Sequence, residues 1–157
     1  MDLQSAQRPI EDLLAEYVHC VDDDRLEEWP DFFTEDCLYR IISRENEERN
    51  LPMTVMYCDS RGMLKDRIQS LREANVYEHQ WYRHMISAVR VVGETEGVFT
   101  VHTNYTVFRT TNEGSTTLYN TGKYVDRVVF FEGGPKFIEK SVIFDTTRIP
   151  TLLVIPI

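Results

Sequence analysis

The chain has 157 residues, enough for one domain with a single sizeable core and too few for two comfortable ones, so residues 1–157 are read as one domain. Seventeen Lys and Arg against 26 Asp and Glu give a formal net charge of -9, which repels phosphate backbones and anionic lipid and argues against nucleic-acid or membrane-surface binding. No apolar run has spanning length, and residues 1–9 lack the basic-then-apolar pattern of a leader, so a cytoplasmic protein is expected.

The chain opens with an amphipathic helix. Pro9 suits its first turn, Glu11 and Asp12 suit the positive end of its dipole, and Ile10, Leu13, Leu14, Tyr17, Val18 and Val21 recur at helical spacing. Asp22, Asp23 and Asp24 oppose the negative end and terminate it. A second short helix is expected over Leu26, Trp29, Phe32 and Phe33, with Pro30 in its first turn or at a break. Cys37 to Ile42 reads as a strand, Ser43 to Asn50 as a solvated loop, and Met53 to Cys58 as a short extended segment. Asp59 or Ser60 then caps a helix carrying Met63, Leu64, Arg67, Ile68 and Leu71 along one side and stopping near Asn75.

From Trp81 onward the pattern is β. Trp81 to Val92, Val98 to Thr110, Thr116 to Phe131 and a last strand up to Asp145 are separated by turns at Gly93–Gly97, Asn112–Gly114 and Glu132–Pro135. Helices first and a meander afterwards imply an α+β fold, with the N-terminal helices packed on one face of a curved antiparallel sheet. Strands this long need twist or bulges to stay compact, which favours a cone-shaped half barrel able to hold a pocket.

Period-two alternation places Tyr82, His84, Ile86 and Ala88 on one face and Trp81, Arg83, Met85 and Ser87 on the other. In the next strand it sets His102, Asn104, Thr106 and Phe108 against Val101, Thr103, Tyr105 and Val107. His84 and His102 are thereby expected to face one cavity. With Asp22 and Tyr39 they resemble, in order, the polar set of scytalone dehydratase-like enzymes, in which a His beside a carboxylate can act as a general base. Hydrogen-bonded core or interface residues are the competing reading.

Asp22, Asp23 and Asp24 could hold a cation, but consecutive residues at a helix end point apart. Arg61, Lys65, Arg67 and Arg72 could grip an anion or form a polar face. Cys20, Cys37 and Cys58 are too few and too scattered for a disulfide framework, and Cys37 and Cys58 sit in apolar runs that favour inert thiols. His19, His79, His84 and His102 show no metal-ligand spacing, so no metal is expected in this chain. Trp29, Phe32 and Phe33 read as core.

Several stretches taken together resemble the small (β) subunit of aromatic-ring-hydroxylating oxygenases. They are Leu26-Glu-Glu-Trp-Pro-Asp-Phe-Phe33, Asp59-Ser-Arg-Gly-Met-Leu-Lys-Asp-Arg67, Tyr82-Arg-His-Met-Ile86, Gly122-Lys-Tyr-Val-Asp-Arg127 and Ile143-Phe-Asp145. The likeness runs from about Tyr17 to Asp145. It implies an NTF2-like, scytalone dehydratase-like fold and a non-catalytic role, supporting a large subunit that carries a Rieske [2Fe-2S] cluster and a mononuclear iron. This chain shows no ligand pattern for either centre.

The resemblance further implies assembly with the large subunit and with other copies of this chain, three of each, in the hydroxylation of an aromatic acid such as salicylate, anthranilate, benzoate or terephthalate. Arg61, Arg67, Trp81, Arg83, Leu153 and Ile155 are the expected interface residues. Thr151 to Ile157 is almost wholly apolar, so it is expected to pair as a strand or pack on another subunit. A free dehydratase or isomerase using His84, His102 and Asp22, or a ligand-binding module, is the alternative.

Overall fold

The structure, a computed structural model, describes residues 1–74, 79–146 and 155–157. The first helix, α1, spans Leu3–Asp22 and starts earlier than expected, because Asp2 caps it: its Oδ1 accepts the Ser5 N–H at 2.7 Å. Pro9 therefore lies inside the helix and not in its first turn. The carbonyl that Pro9 leaves without a donor belongs to Ser5, which is exposed and open to water. Ala6, Ile10, Leu14, Tyr17, Val18 and Val21 form the buried stripe.

After α1, Asp24 turns the chain with a left-handed φ of 59°. A single 3-10 turn, Trp29–Phe32, replaces the expected helix, with Pro30 in its opening positions. Phe33 already belongs to β1, Phe33–Ser43, which is longer than expected because Phe33, Cys37, Tyr39 and Ile41 can be buried only in an extended chain. The charged stretch expected to be loop contains a short helix, α2 (Arg44–Glu48), nucleated by the Ser43 hydroxyl accepting the Asn46 N–H at 3.1 Å. Strand β2 is Met56–Cys58, and α3 is Arg61–Ala74, with the Ser60 hydroxyl accepting the Met63 N–H.

The remaining strands are β3 (Trp81–Thr95), β4 (Val98–Thr110), β5 (Thr116–Phe131) and β6 (Gly134–Phe144). The β3–β4 turn is tighter than expected. Thr95 pairs with Val98, leaving Glu96 (φ 53°) and Gly97 (φ 80°) as a two-residue turn that matches the twist of the strands. The sheet order is β2-β1-β6-β5-β4-β3, antiparallel except where β1 runs parallel to β6. This is the expected α+β cone, its N-terminal strand entering beside the last one. Bulges in β3, β4–β5 and β5–β6 bend it, and the Gln7 side-chain amide docks on the β3 bulge through Val89 O and Val91 N–H.

Candidate functional site

The concave face is lined by Phe33, Tyr39, Val101, Tyr105, Val107, Tyr124, Asp126, Phe137, Lys140 and Val142, all buried. Tyr17 and Trp29 enter it from the helical side, and their rings meet Phe33, Tyr39 and Phe137 edge-on. The Trp29, Phe32 and Phe33 cluster is accordingly core, with Phe32 its partly buried member.

Of the four residues weighed for acid/base chemistry, the fold brings two together. His84 Nδ1 lies 2.6 Å from Asp22 Oδ1, and the His84 backbone N–H donates to Asp22 Oδ2 at 2.8 Å. The two side chains are 1% and 3% exposed, so the carboxylate ties the end of α1 to β3. Nε2 of His84 is buried and has no hydrogen-bond partner among the described residues. Tyr39 instead bonds Ile157. His102 sits on the opposite face: His84 pairs with inward Val107, whereas His102 pairs with Arg90 and Val125, and an odd separation along regular β4 puts residues 102 and 107 on opposite sides. The expectation of one two-histidine cavity is thus corrected. On the convex face, burial and then the Lys123 charge hold the His102 pKa below its ordinary value.

The other candidates are engaged within the chain. Asp22 turns inward, while Asp24 turns to α3, where Arg72 donates to both its carboxylate oxygens at 3.0 Å and to Glu27 at 2.7 Å. No three-residue cation cage forms. Arg61 is split between Asp31 at 2.7 Å and Glu35 at 2.8 Å. Neither arginine is available as an anion grip, whereas Lys65 and Arg67 are exposed. All three cysteines are free and buried, and burial pushes the Cys20 and Cys37 thiols up to about 11. Among the described residues, no three His, Cys, Asp or Glu side chains gather as a metal site.

The convex face differs. Trp81, Met85 and Leu118 are 54%, 60% and 57% exposed, and the pairings Arg83↔Phe108 and Phe108↔Leu118 set Arg83 and Phe108 in the same field. At its edge a cleft of about 400 Å³ opens between the end of α1 and the start of β3, with Asp22, Asp24, His79, Trp81, Arg83 and Ile155 among its walls. Three of the six expected interface residues meet there. Arg67 lies elsewhere, beside exposed Val55, Tyr57 and Met63 on the β2 edge, and Leu153 lies outside the described residues. Sequence reasoning missed this β2-edge patch, although a short apolar strand with no partner beyond it was its signal.

The sequence model of the ring hydroxylating beta subunit matches residues 17–151. The chain belongs to that family. It is 44% identical over 141 residues to the anthranilate 1,2-dioxygenase small subunit of Burkholderia cepacia, covering 90% of this chain and 88% of that protein. It is 34% identical to beta subunit 1 of the terminal oxygenase component of a Comamonas terephthalate 1,2-dioxygenase, covering 91% and 93%. A crystal structure assigned to the beta subunits of aromatic-ring-hydroxylating dioxygenases, from Novosphingobium aromaticivorans, superposes with a TM-score of 0.90 at 47% identity, covering 98% of both chains. Membership in a small-subunit family does not favour a stand-alone dehydratase centre.

Proposed function

We propose that this small subunit acts as a single domain in the cytoplasm, holding a large subunit that carries the Rieske [2Fe-2S] cluster and the mononuclear iron. The complex would hydroxylate an aromatic acid of the anthranilate, terephthalate, benzoate or salicylate kind. One observation carries the partner role: the concave face, where a free enzyme would hold substrate, is packed with side chains, while Trp81, Met85 and Leu118 stand in solvent on the convex face. Exposed apolar clusters of this kind favour protein contacts. On this reading the family likeness would assign every metal-dependent step to the partner; among the described residues no three His, Cys, Asp or Glu side chains gather as a metal site. The convex face with Trp81, Arg83 and the Ile155 cleft, together with the β2 edge near Arg67, would bind the large subunit and further copies of this chain in a three-plus-three assembly. Arg61, fixed by Asp31 and Glu35, would present that edge.

Co-expression with the large subunit of a related aromatic-ring-hydroxylating oxygenase tests this reading. The expected result is a coloured, iron-bearing complex active on an aromatic acid, against a colourless, inactive chain when the small subunit is purified alone. Turnover by the isolated chain, abolished by His84→Ala, would instead establish the dehydratase alternative.

A further inference from the structure

Residues 156 and 157 return to the centre of the cone, where Pro156 is buried and Ile157 is 1% exposed. The Ile157 carbonyl accepts from the Tyr17 hydroxyl at 3.0 Å and from the Tyr39 hydroxyl at 3.1 Å. The Ile157 N–H donates back to the Tyr39 oxygen at 3.0 Å, and Trp29 Nε1–H donates to the Tyr17 oxygen at 3.2 Å. Of the apolar stretch Thr151 to Ile157, residues 151–154 lie outside the described residues, while Pro156 and Ile157 pack in the chain's own core.

The manner of binding is that of a ligand. Both backbone groups of Ile157 are held by side chains and not by the sheet ladder, and the Tyr17 phenol is aimed by the Trp29 indole N–H. Burial holds both phenols far above their ordinary pKa, so they remain neutral donors at any physiological pH. Removal of Ile157 would leave two buried hydroxyls without their acceptor and a void the size of a branched side chain, both unfavourable in a dry interior. We propose that Tyr17, Trp29 and Tyr39 form a binding site for an N-acylated branched aliphatic amino-acid unit, occupied in cis by Ile157. Pro156–Ile157 is then an intramolecular ligand of the cone, separable from its frame. This inference is independent of the partner role proposed above.

The test is rescue in trans. A chain ending at Ile155 is purified and its thermal unfolding followed with increasing N-acetyl-Pro-Ile, which supplies the same side chain, N–H and carbonyl. The expected outcome is a midpoint below that of the full chain that climbs with the logarithm of probe concentration, as for any ligand of the native state. The full chain, its site filled, should show no such climb. Tyr39→Phe in the shortened chain should weaken the probe by about tenfold to a hundredfold, the loss of both hydrogen bonds that its hydroxyl makes to the Ile unit, and N-acetyl-Pro-Gly should also bind more weakly than N-acetyl-Pro-Ile. If the shortened chain does not fold alone, it is refolded from denaturant with and without saturating probe, and recovery of native circular dichroism only with probe supports the site. A folded shortened chain indifferent to probe, a full chain that responds equally, or refolding that saturating probe fails to restore would each overturn it.

Discussion

Lys140 Nζ lies 3.1 Å from Asp126 Oδ2 across the β5–β6 pair, and neither side chain has any exposure. The rings of Tyr124, Tyr17 and Phe137 surround the ammonium at 3.6, 4.6 and 4.6 Å. A buried ion pair recovers little more than its own desolvation cost, but breaking one strands a charge. Asp126→Asn should therefore destabilise the chain by about 3–5 kcal/mol, whereas the double replacement Asp126→Leu with Lys140→Met should lie near wild type. Urea unfolding of the single and double variants checks both.

The same pair sets a pH dependence. Burial outweighs the Lys140 charge and pushes Asp126 up to about 6 from an ordinary 3.8, and burial likewise lowers Lys140. Asp126 is raised in the folded state, so its contribution to stability is present below the unfolded value and lost as pH rises through about 6. Acidification from neutrality therefore favours the native wild type at this site. Urea unfolding of the wild type and of the Asp126→Leu, Lys140→Met double variant between neutral pH and about pH 4 checks this, the contribution of Asp126 rising on acidification only in the wild type.

Gly122 opens the Gly122–Arg127 stretch that carries part of the family likeness. A Cβ there would lie 2.0 Å from the Ile143 carbonyl oxygen and 2.8 Å from Phe144 Cα, both backbone atoms of β6. Backbone in a central pair cannot yield as a flexible side chain can, so Gly122→Ala should cost at least the roughly 1–3 kcal/mol of an overpacked core. Gly97→Ala meets no atom within 4 Å and pays only for its φ of 80°, about 1–2 kcal/mol. Paired thermal unfolding should rank Gly122→Ala well below Gly97→Ala.

The convex field makes an assembly prediction. Trp81→Asp and Met85→Asp place charges on solvent-exposed positions of β3, so the isolated chain should unfold within about 0.5 kcal/mol of wild type. In co-expression the same changes should sharply reduce recovery with the large subunit, because a charge buried in a contact is left unpaired. Undiminished complex on gel filtration would remove this face from the interface.

What could be read from sequence follows the range of the forces involved. The buried stripe of α1, the Ser60 cap and the inward set Tyr82, His84 and Ile86 were legible because each rests on local periodicity or a local hydrogen bond. The facing failed at Ala88, whose φ of 53° opens a bulge between Ser87 and Arg90 that alanine does not announce. Lys140 was invisible as a core residue because a lysine signals solvent, and its partner becomes evident only once the hairpin register pairs residues 126 and 140. The docking of Ile157 is a contact over more than a hundred residues between an apolar end and two phenols. No short-range pattern encodes it.

The two histidines separate a structural dyad from a surface residue. His84 holds Asp22 through its ring and its backbone N–H, so His84→Ala keeps the backbone hydrogen bond and removes the ring's from a carboxylate that is itself only 3% exposed. Hydrogen bonds to charged groups contribute about 1.5–3 kcal/mol, and His84→Ala or Asp22→Asn should cost that much in urea unfolding. His102 lies on the convex face with no comparable anchor, so His102→Ala should stay within about 0.5 kcal/mol. Once complexes are matched for bound small subunit, both His variants should leave turnover per iron unchanged. A His84→Ala complex that is fully assembled and stable yet loses turnover would place the dyad in the chemistry.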